Sequence, residues 1–318
     1  MMKEYDQPNN EFISIASEPL ARWGGQWTEE KLDTFTKYVN AYLTIMNKYR
    51  DQYDWKLIYF DGFAGSGSRS ETNNNQSDLL LELFSEDVLH KDELNLYQGA
   101  AERVLSIDQR GFNYNYFIDK DSTSSNLLQQ KLQSYETTDK KLEFRCSDAN
   151  KQLQIMAQAL KNNPKLRALV LLDPFGMQVN WESIASLANT HTDLWILIPT
   201  GVIVNRLLDR KGKLAHIETL CSFFGLSENE IQNYFYEKQT EQTLFGEEEK
   251  IIKVSQPIKK IAELYIKQLK TIFTQVTDKP LIMYNTRNTP IYHFAFASYN
   301  ETAKKIASQI ISKKGTRK

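Results

Sequence analysis

An α/β protein built on a mostly parallel, doubly wound sheet is the fold this sequence predicts, and three observations predict it. Apolar runs of strand length alternate with helical stretches from Trp55 to Gly201, the pattern of parallel β-α-β units. One of these runs, LRALVLL, is apolar almost without interruption, as a strand covered on both faces must be. The last two runs, PLIMYN and IYHFAFAS, are separated only by TRNTP, and so short a connection closes an antiparallel hairpin.

Composition narrows the class. A chain of 318 residues fits one embellished domain or two and buries a full core without disulfide or metal staples. Its 39 basic and 40 acidic residues nearly cancel, which excludes a histone-like polycation but leaves room for a local basic groove. The longest apolar runs are five or six residues, far below the ~20 of a membrane helix. MMKEYDQPNNEF at the N-terminus lacks a signal-peptide core. A soluble, cytoplasmic protein with no membrane contact is expected. Two cysteines cannot build a zinc site alone, and the four histidines show no paired spacing. Cys146, within an apolar strand, is expected in the core, and Cys221 in packing.

Each element follows from its local pattern. Residues 1–26 mix Pro, Asn, Gly and Ser without a period and read as an arm. Thr28 is placed to cap a helix, with Glu29 and Glu30 near the positive end of its dipole. Leu32, Phe35, Val39, Tyr42, Met46 and Tyr49 then recur at alternating three and four, giving that helix one apolar stripe. WKLIYFD is the first core strand and runs into the glycine-rich loop DGFAGSG. The polar stretch SETNNNQSD cannot be an element interior. Leu79–Phe84 and Ala100–Ile107 read as helical pieces, followed by strand NYNYFID and a crossover helix over Ser122–Ser134. KLEFRC, LRALVLL and DLWILI are the next strands; helices over Leu153–Leu160 and Trp181–Ala188 separate them. From 202 to 279 the pattern turns helical and irregular, with Gly212, Gly225 and Gly246 as punctuation and the acidic run Glu247–Glu249 read as a solvated loop. Residues 1–54 are thus expected as arm and helix, and 55–201 as the core. Residues 202–279 form a helical insertion or lid, and 280–318 a final hairpin and helix completing the core.

The glycine loop carries the chemistry. Gly62 and Gly67 have the separation of a phosphate-binding P-loop, but Ser68 stands where its lysine is required. The spacing of Gly62, Gly65 and Gly67 also misses the nicotinamide fingerprint GxGxxG. A third use of such a loop is to cradle the methionine part of S-adenosylmethionine.

DGFAGSG resembles the first motif of class I methyltransferases, in the FxGxG form of nucleic-acid amino-methyltransferases. Asp119 in YFIDKD, Asp148 in RCSDA and Asp173-Pro174-Phe175-Gly176 follow in the order that family uses. WTEEKL with its helix, YFDGFAGSG, FIDKD, LLDPFG and YHFAFAS together are similar to the three-Cys-motif partner (TcmP) family, over roughly 27–200 and 280–318. The resemblance implies a Rossmann-like class I methyltransferase fold with S-adenosylmethionine as cofactor. A three-Cys-motif protein would be the partner. It also implies that Asp61, Gly62, Phe63, Gly65 and Gly67 surround the methionine moiety, that Asp119 binds the ribose hydroxyls, and that Asp148 meets the adenine.

In amino-methyltransferases the DPPY-type tetrapeptide holds an exocyclic NH2 with a side-chain and a backbone acceptor, while its aromatic stacks on the extruded base. Asp173 and Pro174 match the first two positions. Phe175 replaces a proline, and Gly176 replaces the aromatic, so Phe175 or Trp181 would have to stack instead. Arg206, Arg210, Lys211 and Lys213 follow the fifth strand, and with Lys313–Lys318 and interleaved aromatics they make nucleic acid the favoured acceptor. The alternative, favoured by Gly176, is a non-catalytic partner that uses the fold as a scaffold. Asp148 and Asp121 are equally explained as helix N-caps.

Overall fold

The computed structural model describes residues 26–67, 99–209, 212, 214, 216–243, 246–285 and 287–315. Residues 1–25 of the expected arm over 1–26, the Asn cluster, the helical piece over 79–84, Arg210, Lys211, Lys213 and residues 316–318 lie outside the described residues.

The central sheet contains β1 (Lys56–Asp61), β2 (Tyr114–Asp119), β3 (Lys141–Cys146), β4 (Leu166–Leu172) and β5 (Thr192–Ile198). After a separate pair, β6 (Tyr236–Thr243) and β7 (Gly246–Lys253), it is completed by β8 (Gln275–Val276), β9 (Leu281–Tyr284) and β10 (Pro290–Ser298). Strand order is β3-β2-β1-β4-β5-β10-β8, with β9 also on β10. The first five strands are mutually parallel. β10 runs antiparallel to β5, β8 and β9. The β9–β10 hairpin is the one the short TRNTP connection predicts.

Side-chain alternation along β1 assigns the two faces. Leu57 and Tyr59 join one apolar cluster, Ile58 and Phe60 the other, as a period of two requires. The first face is covered by α1 (Gln26–Tyr49), α2 (Ala100–Leu105), α3 (Ser122–Leu132) and α9 (Glu301–Gly315). The second is covered by α4 (Ala149–Asn162), α5 (Trp181–Ala185), α6 (Ile217–Phe224), α7 (Glu228–Phe235) and α8 (Pro257–Ile272). β5 is buried along its whole length, whereas the edge strand β3 is half-exposed.

Helix α1 is the element that positions the site. Leu32, Phe35, Val39 and Tyr42 of its predicted stripe are buried, with Phe35 and Tyr38 packed on Trp195. The Tyr38 hydroxyl donates to Asp193 Oδ2 at 2.6 Å, and Ser298 Oγ donates to Asp193 Oδ1 at 2.6 Å. Burial pushes the Asp193 carboxyl up, opposed by these two hydroxyl bonds. Arg103 of α2 reaches Glu29 at 2.5 Å and Asp33 at 3.3 Å, joining the two helices.

Four expectations are corrected. Thr28 is not a cap: α1 begins at Gln26, its first turn held by Trp27 stacked on Tyr292 at 5.5 Å. The segment 202–279 is not purely helical, because β6 and β7 form an antiparallel hairpin. Glu247–Glu249 therefore lies in strand β7, where Glu249 pairs with Lys238 at 3.2 Å. These strands carry few apolar residues, so they lack the alternation that marks a half-buried strand. Cys146 is exposed, since β3 is the sheet edge and Cys146 ends it; its thiol donates to the Lys120 carbonyl.

The base of the hairpin is tied to the chain after β5. Tyr236 OH donates to Asp209 O at 2.8 Å, and Lys253 Nζ donates to Asn205 O, Asn205 Oδ1 and Leu208 O at 2.6–2.8 Å. That chain starts as a π-helical turn, Thr200–Val204.

Replacing Tyr38 with Phe leaves the buried Asp193 carboxyl with one hydroxyl partner. Urea unfolding is expected to show a loss of about 1–3 kcal/mol; an unchanged midpoint with unchanged slope would show that this bond does not anchor α1.

Candidate active site

The carboxyl ends of β1, β2, β3 and β4 meet on one edge of the sheet. The chain winds outward from β1 through β2 to β3, then restarts beside β1 with β4. At such a switch point the loops on either side diverge and leave a crevice. Gly62 N bonds to Leu171 O across to β4, and Ala64 N to Ile118 O across to β2, each at 3.0 Å. The loop therefore bridges both directions of winding. The resulting cleft has a volume of about 250 Å³ and brings Gly62, Phe63, Gly65, Asp119, Asp148, Asp173 and Phe175 together.

The glycines are there for two reasons. A Cβ on Gly62 would lie 2.7 Å from Leu172 Cδ2, so the close packing of the loop on β4 excludes a side chain. Gly65 has φ +61°, and among the described residues nothing lies within 4 Å of a Cβ position: a left-handed turn of the kind where a ligand can meet backbone. Gly67 also has positive φ, but it packs on Leu128 of α3, and its carbonyl accepts from Lys131 Nζ. It is not among the residues that line the cleft.

Asp61 is also absent from the cleft lining. It is buried beneath the loop, accepting from Tyr59 OH at 3.0 Å and from Phe63 N at 3.2 Å. It shapes the turn and does not line the cleft. Burial pushes its carboxyl up to about 7 against these two bonds, with Asp173 adding to the rise and Lys31 opposing it.

Asp119 ends β2 with both oxygens engaged on one side: Oδ2 accepts from Gly65 N at 3.0 Å and Oδ1 from Asp121 N at 2.8 Å. This fixes the carboxylate beside Gly65. Burial raises its pKa, while the two N–H groups pull the other way. Asp148 caps α4 by accepting from Lys151 N and pairs with Lys120 at 2.7 Å. Burial favours its neutral form, but the Lys120 ammonium and the cap bonds outweigh this and hold it below the usual carboxylate range. Asp121 caps α3.

After β4 the tetrapeptide turns across the mouth of the cleft. Asp173 lines the cleft and is paired with Lys31 of α1. Pro174 is buried behind it and offers the cleft no side chain. Phe175 is 38% exposed, its N–H bonded to Gln178 Oε1 at 3.0 Å. Gly176 is buried, and a Cβ there would lie 3.0 Å from Ile203 Cδ1, so a side chain at this position would have to displace the Ile203 methyl. Trp181 is spent on packing against Tyr265 and Gly225, which leaves Phe175 as the aromatic of the tetrapeptide at the cleft.

The chain pattern did not single out Lys120, Ser147, Ala149, Asn150 and Gln178, which also line the cleft. Nor did it single out Lys31, Trp27 and Tyr292. Lys31 had a signal: with Phe35, Tyr38 and Tyr42 it keeps the three–four spacing of the buried face of α1, where an unpaired lysine is costly. Asn150 braces the tetrapeptide loop through Gln178 O at 2.8 Å, a contact that spacing cannot reveal. The buried pair His293–Thr200 (2.8 Å) lies outside the cleft lining, and burial pushes His293 down to about 4.

No family model and no curated protein sequence matches the chain. Among solved structures it is similar to protein LPL1258 from Legionella pneumophila str. Philadelphia 1, family-model DUF519. The identity is 14%, covering 90% of this chain and 91% of that one, with a TM-score of 0.45. No helix among the described residues is long and apolar enough to cross a membrane.

Asp61 makes stability depend on pH. Its folded pKa of about 7 exceeds an unfolded value of about 3.9, so the folded state retains a proton that the unfolded chain releases. That contribution is complete below about pH 4 and is lost as the pH rises through about 7. In Asp61→Asn it is absent. The difference in unfolding free energy, wild type minus variant, should fall steadily across this interval, and a flat difference would exclude a protonated Asp61.

Proposed function

We propose that this chain is an S-adenosylmethionine-dependent methyltransferase of the Rossmann-like class I type. The reading places it in the cytoplasm, with a three-Cys-motif protein as partner and an exocyclic amino group of a nucleic-acid base as the favoured acceptor. One observation carries it. The glycine loop, Asp119, Asp148 and Asp173 stand at the carboxyl ends of four adjacent parallel strands around one cleft, in the order the resemblance implies.

The donor set suits that cofactor. Asp119 keeps lone pairs free for two vicinal hydroxyls, while Gly65 N and Asp121 N hold the carboxylate still. Gly65 offers bare backbone to an elongated ligand, and Asp148 with Ser147 supplies acceptors at the end of the cleft under β3. When bound, the cofactor supplies a methyl group on a positively charged sulfur, an activated leaving group that needs no metal. The chain's own part is orientation. Asp173 and the Pro174 carbonyl accept hydrogen bonds from an amino group, and the exposed ring of Phe175 provides an apolar wall. Fixing nucleophile and methyl group in line accounts for much of the acceleration such a site delivers.

A second reading, a non-catalytic binding scaffold, is favoured by two observations. Gly176 is closed over by Ile203, and Asp173 is already engaged by Lys31. Calorimetric titration with S-adenosylmethionine and S-adenosylhomocysteine tests the cofactor half of both. Saturable binding is expected, weakened roughly tenfold or more in Asp119→Ala, in line with the ~1.5–3 kcal/mol of a charge-assisted hydrogen bond. No saturable heat with either ligand would overturn the methyltransferase reading.

A further inference from the structure

Resting on the cofactor reading above, we propose that Lys31 is itself a methyl acceptor, a self-modification site in helix α1. The residue proposed to orient the reacting nitrogen is Asp173, and the nitrogen it holds in this structure is Lys31 Nζ, bonded to Asp173 Oδ2. Asp173 lines the cleft, so the lysine nitrogen stands one hydrogen bond behind the wall the cofactor would occupy.

The surroundings match an aliphatic ammonium. A carboxylate lies on one side, and the Trp27 ring centroid is 5.7 Å from Nζ on another; a carboxylate with an aromatic face is the recognition chemistry of such cations. The position that would stack a nucleobase is Gly176, with Ile203 pressed against it. Lys31 is also held rather than free to wander. Its side chain is 7% exposed, and Trp27, one turn earlier, stacks on Tyr292. The Tyr292 hydroxyl reaches the Phe175 carbonyl at 3.4 Å, so α1 and the tetrapeptide are clamped at two points. Lys120 is the contrast: it lines the cleft, whereas Lys31 reaches the lining only through Asp173, but Lys120 is 60% exposed and paired with Asp148.

The transfer balances simply. Nζ gives up one proton through Asp173 Oδ2 to water in the cleft. The freed lone pair forms the N–C bond while the S–C bond breaks with its electrons to sulfur. Lys31 becomes a monomethyl-ammonium that keeps its charge and therefore its pairing with Asp173, and one proton is released to solvent.

The test is peptide mass mapping of the full-length protein, as purified and after incubation with S-adenosylmethionine and no added acceptor. Calorimetry of S-adenosylmethionine binding runs on the same sample. The expected result is a single added methyl on the Lys31 peptide, absent in Lys31→Arg and reduced about a hundredfold in Asp173→Asn, where the nitrogen loses its orienting charge. The wild-type map needs no variant to fold. Binding without a methyl on Lys31, or a methyl on Lys120 in its place, would overturn the proposal while leaving the cofactor reading intact. Absence of binding would overturn both, and the calorimetric trace separates the two failures.

Discussion

Strand β1 is hydrogen-bonded to β2 on one side and β4 on the other, and almost everything else in this molecule depends on that double pairing. It makes β1 the strand from which the chain winds in both directions. The loop after it is tied to both neighbours, through Gly62 N to Leu171 O and Ala64 N to Ile118 O, and borders the cleft. Because all of these strands are parallel, every connection returns over a face of the sheet, and every carboxyl end points the same way. Asp119, Asp148 and Asp173 are dispersed along the sequence yet share one crevice for that reason alone.

The second constraint is the cost of burying charge. Helix α1 places Lys31 and Tyr38 two turns apart, about 10 Å along its axis, against acidic residues at opposite ends of the sheet. Asp193 near the start of β5 takes Tyr38, and Asp173 just beyond the end of β4 takes Lys31. A lone buried carboxylate or ammonium would be strongly unfavourable, so losing either partner is penalised far more than the pair contributes. A slip of α1 by one residue would strand both acids at once. Polar contacts here set the register of a helix whose affinity for the sheet comes from Phe35, Val39, Tyr42 and Leu43. Register in turn puts an ammonium against the residue on which the proposed chemistry turns.

The segment between β5 and the final hairpin follows a different logic. A two-stranded ribbon such as β6–β7 has little stability of its own. Its base is secured where Tyr236 enters the core and where Lys253 satisfies three acceptors of the chain leaving β5. The same chain carries Ile203, which closes over Gly176. The insertion thus packs against the tetrapeptide from outside the glycine and acidic motifs.

What the sequence determined by itself was whatever rests on local period and chain order. That includes the β-α-β alternation, the nearly continuous apolar character of β4, the closing antiparallel hairpin and the apolar stripe of α1. It also includes the order of glycine loop and strand-end acids, since a parallel sheet turns order into proximity. Tertiary structure alone decided the rest. The polar hairpin β6–β7 has no alternation to read, and Cys146 is exposed because β3 lies at an edge, which strand order decides. Asp61 and Gly67 belong to the motif but are not among the residues that line the cleft. The pairing of Lys31 with Asp173 joins residues 142 positions apart, on elements whose contact depends on how one helix settles across several strands. Periodicity can say which face of a helix is buried, but only packing says what that face meets.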